Sequence, residues 1–162
     1  MLRGPLSLLP RSAWAILREA TRHILRHPVV GVVAAARTQD GRWLLIRRAD
    51  TGTWALPGGT LEWGETLGAS LRRELLEEAG AVVRGPAHLV GVYSRPDRDR
   101  RFHGVTVLVT CEVEPPAGRP VNPLEIREVR LFDEEELPGE LAMGQSDMLA
   151  AARRGGAEPV FE

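Results

Sequence analysis

Apolar positions along the chain repeat with two different periods. Residues 29–38, VVGVVAAART, form a nearly unbroken apolar run rich in β-branched side chains, which predicts a strand buried on both faces. QDGR follows, with Asp40-Gly41 as a hairpin signal, and WLLIRRA (43–49) reads as the returning strand. A loop with a short extended piece leads to Pro57-Gly58-Gly59. The next segment changes period. Leu67, Leu71, Leu75 and Ala79 recur every fourth residue, a stripe roughly 120° wide on a helix, and Gly80 is a normal helix terminator. One or two strands are expected in AVVRGPAHLVGVYS, then the charged loop RPDRDRRFHG, a strand over 105–113 and a Pro-rich loop. An alternating strand over 126–133 and a closing helix over 145–154 complete the pattern. Strands and helices interleave without repeats, which predicts an α/β fold with helices on both faces of a sheet.

Composition narrows the function classes. The chain has 162 residues and a net charge of -1, so neither its size nor its overall charge suggests a polyanion-binding surface. Its single cysteine, Cys111, excludes an intramolecular disulfide, and no Cys/His group has zinc spacing. All 21 basic residues are arginine, which excludes Schiff-base chemistry and a P-loop lysine. No apolar run reaches the length of a membrane span, and a cytoplasmic protein is expected. Charge is uneven. Residues 1–27 carry five arginines against Glu19, or +4, which leaves -5 for the remainder. This segment reads as a basic amphipathic helix, with Leu17, Ala20, Ile24 and Trp14 toward one side and Pro28 ending it. It is expected to pack on the domain formed by residues 28–162 or on a second subunit.

The chemistry concentrates in RRELLEEAG, residues 72–80. Glu74 and Glu78 stand at i,i+4, where like charges weaken a helix by about 0.2–0.5 kcal/mol. On a helical projection they fall beside the apolar stripe, with Glu77 following within another quarter turn. Carboxylates at the margin of a core lose hydration and repel one another, and a bound cation relieves both effects. Oxygen ligands without His or Cys suit Mg²⁺, with Mn²⁺ as the alternative. Arg73, four residues before Glu77, is placed to hold it. A cation held by carboxylates at an open cleft is suited to phosphoryl or pyrophosphoryl hydrolysis.

Spacing makes the reading specific. Five residues separate Gly59 from Glu65, and seven more precede Arg73-Glu74-Leu75, followed by Glu77, Glu78 and Gly80. This frame resembles the signature of the Nudix hydrolases, Gly-x5-Glu-x7-Arg-Glu-U-x-Glu-Glu-x-Gly-U, with U a bulky aliphatic residue. Ala81, at the last aliphatic place, is the one departure. The resemblance implies a Nudix-type α/β/α sandwich around a mixed β-sheet. It implies a Mg²⁺-dependent enzyme that cleaves a nucleoside diphosphate linked to another group. Glu77 and Glu78 would be the principal metal ligands, Glu74 a further ligand or the base, and the Gly58 carbonyl a backbone ligand. Arg73 would orient the carboxylates, and Glu65 would stabilise the loop–helix junction. Family members often recruit one more acid from a later loop, for which Glu125 and Glu128 are both candidates.

Substrate choice is expected elsewhere. Family members of the ADP-ribose pyrophosphatase type tend to carry a proline about fifteen residues past the signature, and Pro96 stands there. Arg98, Arg100 and Arg101 in the same loop, with Arg48 at the end of the second strand, are candidates to bind diphosphate or ribose. Trp54 and Trp63 are expected to pack rather than to stack on a base. ADP-ribose or a related nucleotide sugar is the expected substrate. Hydrolysis of nucleoside triphosphates and a non-catalytic ADP-ribose or nucleotide sensor are the alternatives, the sensor being disfavoured by an intact signature. The resemblance also implies a homodimer involving the N-terminal helix, while the overall charge and the lack of a membrane-length apolar run lead to neither nucleic acid nor membrane being expected as a partner.

Overall fold

The computed structural model describes residues 14–19, 21, 27–99, 101–116, 122–156 and 158–162. The described elements are β1 (Val29–Thr38), β2 (Trp43–Arg48), β3 (Trp54–Ala55), β4 (Gly58–Thr60), α1 (Leu67–Ala79), β5 (Val83–Tyr93), β6 (Gly104–Val113), β7 (Ile126–Phe132), α2 (Ser146–Arg154) and β8 (Val160–Phe161). Short 3₁₀ turns at Glu134–Glu136 and Ala142–Gly144 lie between β7 and α2.

β1 runs parallel to β6 along its whole length, from Val29 opposite Gly104 to Thr38 opposite Val113. β5 continues the sheet antiparallel to β6, and β8 adds a parallel edge. The other edge of β1 is shared. β4 pairs antiparallel with its first half, and β2 meets its last residues at Arg37 and Trp43. β2 in turn pairs with β3 and β7. The sheet is therefore mixed.

Its two faces are read directly from alternation along β1 and β2. Val32, Ala34, Ala36, Leu44 and Ile46 join the cluster that contains Leu71, Leu75 and Ala79 of α1. Val33, Ala35, Trp43 and Leu45 join the opposite cluster, with Met148 and Leu149 of α2. Helices thus cover both faces, the α/β/α sandwich expected. Each fully buried leucine in these layers contributes about 1.5–3 kcal/mol.

α1 starts where Thr66 accepts a hydrogen bond from the Ala69 N–H, a cap of about 1 kcal/mol, and stops at Gly80 in the left-handed conformation. The stripe is buried at Leu71, Leu75 and Ala79, while Leu67 is partly exposed in the first turn. Residues 14–19 are helical, with Trp14, Ile16 and Leu17 exposed. Ala20 and Ile24, expected on the same side, lie outside the described residues. The homodimer expectation rests on this same segment.

Candidate active site

α1 and β4 bring the carboxylates together. Glu78 is 6% exposed, and its Oε2 accepts the Gly58 N–H at 2.7 Å. Gly58 has φ +146 and lies so close to Val32 that a Cβ would overlap the Val32 carbonyl, so only glycine can bring this N–H to Glu78. Glu74 lies against Gly59, where a Cβ would overlap its carboxylate. Arg73 donates to Glu74 at 2.8 Å, to both oxygens of Glu65 at 2.8 and 3.0 Å, and to the Thr60 carbonyl at 3.2 Å. One guanidinium thereby ties β4, the turn before α1 and α1 itself into a single unit. Arg73 holds the Glu65 carboxyl down at about 2, and Glu65 also accepts the Glu62 N–H.

These residues open onto a cavity of about 300 Å³, within the range of small-molecule sites. Glu74, Glu78 and Glu125 line it, as do Arg48 and Arg101. Burial pushes the Glu78 carboxyl up to about 8; the Glu74 and Glu125 charges push the same way, against the Gly58 N–H and Arg48. Burial also raises Glu74, against the pull of Arg73. A divalent cation at these oxygens reverses both effects, and the donor set fits a hard ion. Among the described residues no three acidic side chains are already gathered around a single point. Mg²⁺, which keeps several waters and takes one or two carboxylates plus substrate phosphates, suits such an arrangement.

Several expected residues fall elsewhere. Glu77 has a side chain 57% exposed and turns to Arg73 at 3.3 Å, and it does not line the cavity. It sits 60° beyond Glu74 around α1, enough to leave the buried margin. Glu128 pairs with Arg47 across the β2–β7 ladder at 3.6 Å. A bulge in β7 at Arg127, opposite the Arg47–Arg48 step of β2, breaks that ladder, so Arg48 opposes Ile126 and reaches the cavity beside Glu125. Of the two late acids, only Glu125 lines the cavity. Pro96 is exposed on its turn and does not line it. Arg98 lines it, but its donors are spent on protein acceptors. Arg100 lies outside the described residues. Trp54 packs edge-on against Phe132 as expected, whereas Trp63 is fully exposed because its turn stands clear of the sheet.

Some cavity residues were not legible beforehand. Gln145, 4% exposed, accepts the Leu56 N–H at 2.8 Å and lines the cavity with Met143, which has φ 54. Nothing local in their sequence marks them. Gly31 was legible in principle. A glycine inside a β-branched run signals a close backbone approach, and a Cβ there would lie 2.7 Å from the Gly59 carbonyl.

The fold, the glycine-bounded carboxylates and the cavity agree with a match to the NUDIX domain over residues 25–152. The chain belongs to the NUDIX family. It is 37% identical to an ADP-ribose pyrophosphatase of Methanocaldococcus jannaschii over 118 residues, 69% of this chain and 66% of that protein. It is 45% identical to a MutT-like protein of Streptomyces ambofaciens over 80 residues, 49% of this chain and 48% of that one. The chain thus spans about half to two thirds of the length of these relatives. The crystal structure of a MutT NUDIX hydrolase from Burkholderia pseudomallei superposes with a TM-score of 0.67 at 30% identity, covering 78% of this chain and 98% of that one. No helix among the described residues is long and apolar enough to cross a membrane.

Proposed function

We propose that this protein is a divalent-cation-dependent pyrophosphohydrolase that cleaves ADP-ribose or a related nucleotide sugar to a nucleoside monophosphate and a sugar phosphate. The observation that carries the proposal is a buried, glycine-held carboxylate, Glu78, sharing one cavity with Glu74, Glu125 and the arginines Arg48 and Arg101. Similarity to the Methanocaldococcus ADP-ribose pyrophosphatase supports the substrate class. Mg²⁺, or Mn²⁺ in its place, would lower the pKa of an attacking water and neutralise charge on the diphosphate.

The chain supplies the remainder. Gly58 fixes one oxygen of Glu78, and Arg73 fixes Glu74, so both acids would hold the cation through their remaining oxygens without reorganising. Glu125 faces the same space from the segment before β7. Arg48, oriented by Asp50 at 2.9 and 2.8 Å, and Arg101, oriented by Asp99 at 3.0 and 2.7 Å, bring positive charge to the phosphates. Water forms a new O–P bond, the bridging P–O bond breaks, and the water proton leaves to a carboxylate of this set.

The test is product release with Mg²⁺ over ADP-ribose, other nucleotide sugars, dinucleotides and nucleoside triphosphates. ADP-ribose or a nucleotide sugar is expected to turn over fastest. Preference for triphosphates would replace the substrate assignment, and binding of ADP-ribose without turnover of any compound would make the protein a sensor.

A further inference from the structure

Arg98 is held by protein acceptors through every part of its guanidinium. Its side chain is 8% exposed. Nε donates to Glu162 Oε2 at 3.0 Å, and Nη2 to Glu162 Oε1 at 2.6 Å and Asp147 Oδ2 at 2.7 Å. Nη1 donates to Asp147 Oδ1 and to the Gly144 carbonyl, each at 3.0 Å. A guanidinium has five N–H groups, and all five are accounted for. The plane also lies over the Tyr93 ring, 4.8 Å from its centroid. Glu162 is engaged in turn. Its Oε2 accepts the N–H groups of Ser94 and Arg95 at 2.9 and 3.0 Å, and its backbone oxygen accepts the Ser94 hydroxyl at 3.0 Å.

The four segments joined here are two walls of the cavity and their supports. Residues 94–99 lead into the wall carrying Asp99, Arg101 and Phe102, while residues 143–145 carry Met143 and Gln145. Asp147 opens α2, and Glu162 follows β8. Arg101 spans the same gap, its Nη2 lying 3.1 Å from the Met143 sulfur. A bidentate guanidinium between two carboxylates fixes distance and angle together, which an ammonium on the same site cannot do.

We propose that Arg98, with Glu162 and Asp147, is a positioning clamp that sets the spacing of the two substrate-facing walls, so that Arg101 and Gln145 meet the substrate in a fixed arrangement. Arg98 itself has no donor left for a phosphate. The clamp acts on substrate binding rather than on the carboxylates of α1, and in that respect it rests on the function proposed above.

Arg98→Lys and Glu162→Gln in the full chain test it with two readouts. In amide hydrogen exchange, both variants are expected to lose at least about tenfold protection in residues 94–99 and 143–149 together, with α1 unchanged. In kinetics with ADP-ribose and Mg²⁺, KM is expected to rise about tenfold while kcat stays within about twofold. Loss of protection in one wall alone, or unchanged KM in variants whose walls have loosened, overturns the clamp. If the unaltered protein turns over neither ADP-ribose nor any other nucleotide sugar, the functional proposal fails by itself and the exchange result still decides whether Arg98 couples the two walls.

Discussion

Replacing Glu78 by glutamine tests the electrostatics of the site before any catalysis is measured. In the folded, metal-free protein burial lifts the Glu78 carboxyl from its ordinary 4.5 to about 8. Between those two pH values the folded chain holds a proton that the unfolded chain has released. Stability therefore falls as pH rises through this window, by at most about 1.4 kcal/mol per pH unit and by on the order of 5 kcal/mol in all. For a domain of this size 1 kcal/mol moves Tm by about 2–4 °C, so the loss corresponds to roughly 10 °C or more. Glutamine cannot ionise, yet its oxygen can still accept the Gly58 N–H.

Thermal melts of both proteins without metal, from pH 5 to pH 8.5, provide the assay. The two should melt together near pH 5, and the variant should melt higher above pH 8. Adding Mg²⁺ should raise the Tm of the unaltered protein more at pH 8 than at pH 5, because the cation takes the ionised carboxylate, and should do much less for the variant. Turnover of the variant should fall by orders of magnitude. Parallel melting curves for the two proteins across the whole range would refute the buried-carboxylate argument, and equal Mg²⁺ stabilisation would refute Glu78 as a ligand.

Glu125→Gln and Glu128→Gln should separate cleanly. The first removes a cavity carboxylate and should weaken activation by Mg²⁺ about tenfold or more. The second removes a half-exposed partner of Arg47 and should leave the Mg²⁺ titration of activity unchanged. Gly59→Ala should weaken Mn²⁺ binding, read by calorimetry, at least about tenfold, because its methyl group displaces the Glu74 carboxylate. An unaltered Mn²⁺ affinity would remove Glu74 from the ligand set.

Much of this architecture was legible because its causes are local. Strand alternation placed Val32 and Val33 in opposite layers, and the period of α1 placed Glu74 and Glu78 at the margin of the core. Glu77 was expected beside the same margin, but its 60° offset from Glu74, on the side away from Glu78, suffices to leave it exposed. The choice between Glu125 and Glu128 was not legible, since a bulge in β7 at Arg127 decides which acid faces Arg48, and no residue type in IREVRLF announces a bulge.

The arginines of the β5–β6 loop show what the remaining limit consists of. By composition Arg98 and Arg101 are equivalent, two cations in a polar loop. What distinguishes them is how many N–H groups each has left. The acceptors that use all five of Arg98 come from Asp147, Glu162 and Gly144, 46 to 64 residues away, and nothing near Arg98 in the chain reports them. Arg48 and Arg101 are each oriented by an aspartate only two residues away, through Nε and Nη2. Such a local pair fixes the direction of the fork while leaving Nη1 for a ligand. The same local pairing occurs at Arg42 with Asp40 and at Arg95 with Asp97, away from the cavity, so the pairing orients an arginine without deciding whether it reaches the cavity; the strand ends and loop that carry Arg48 and Arg101 decide that.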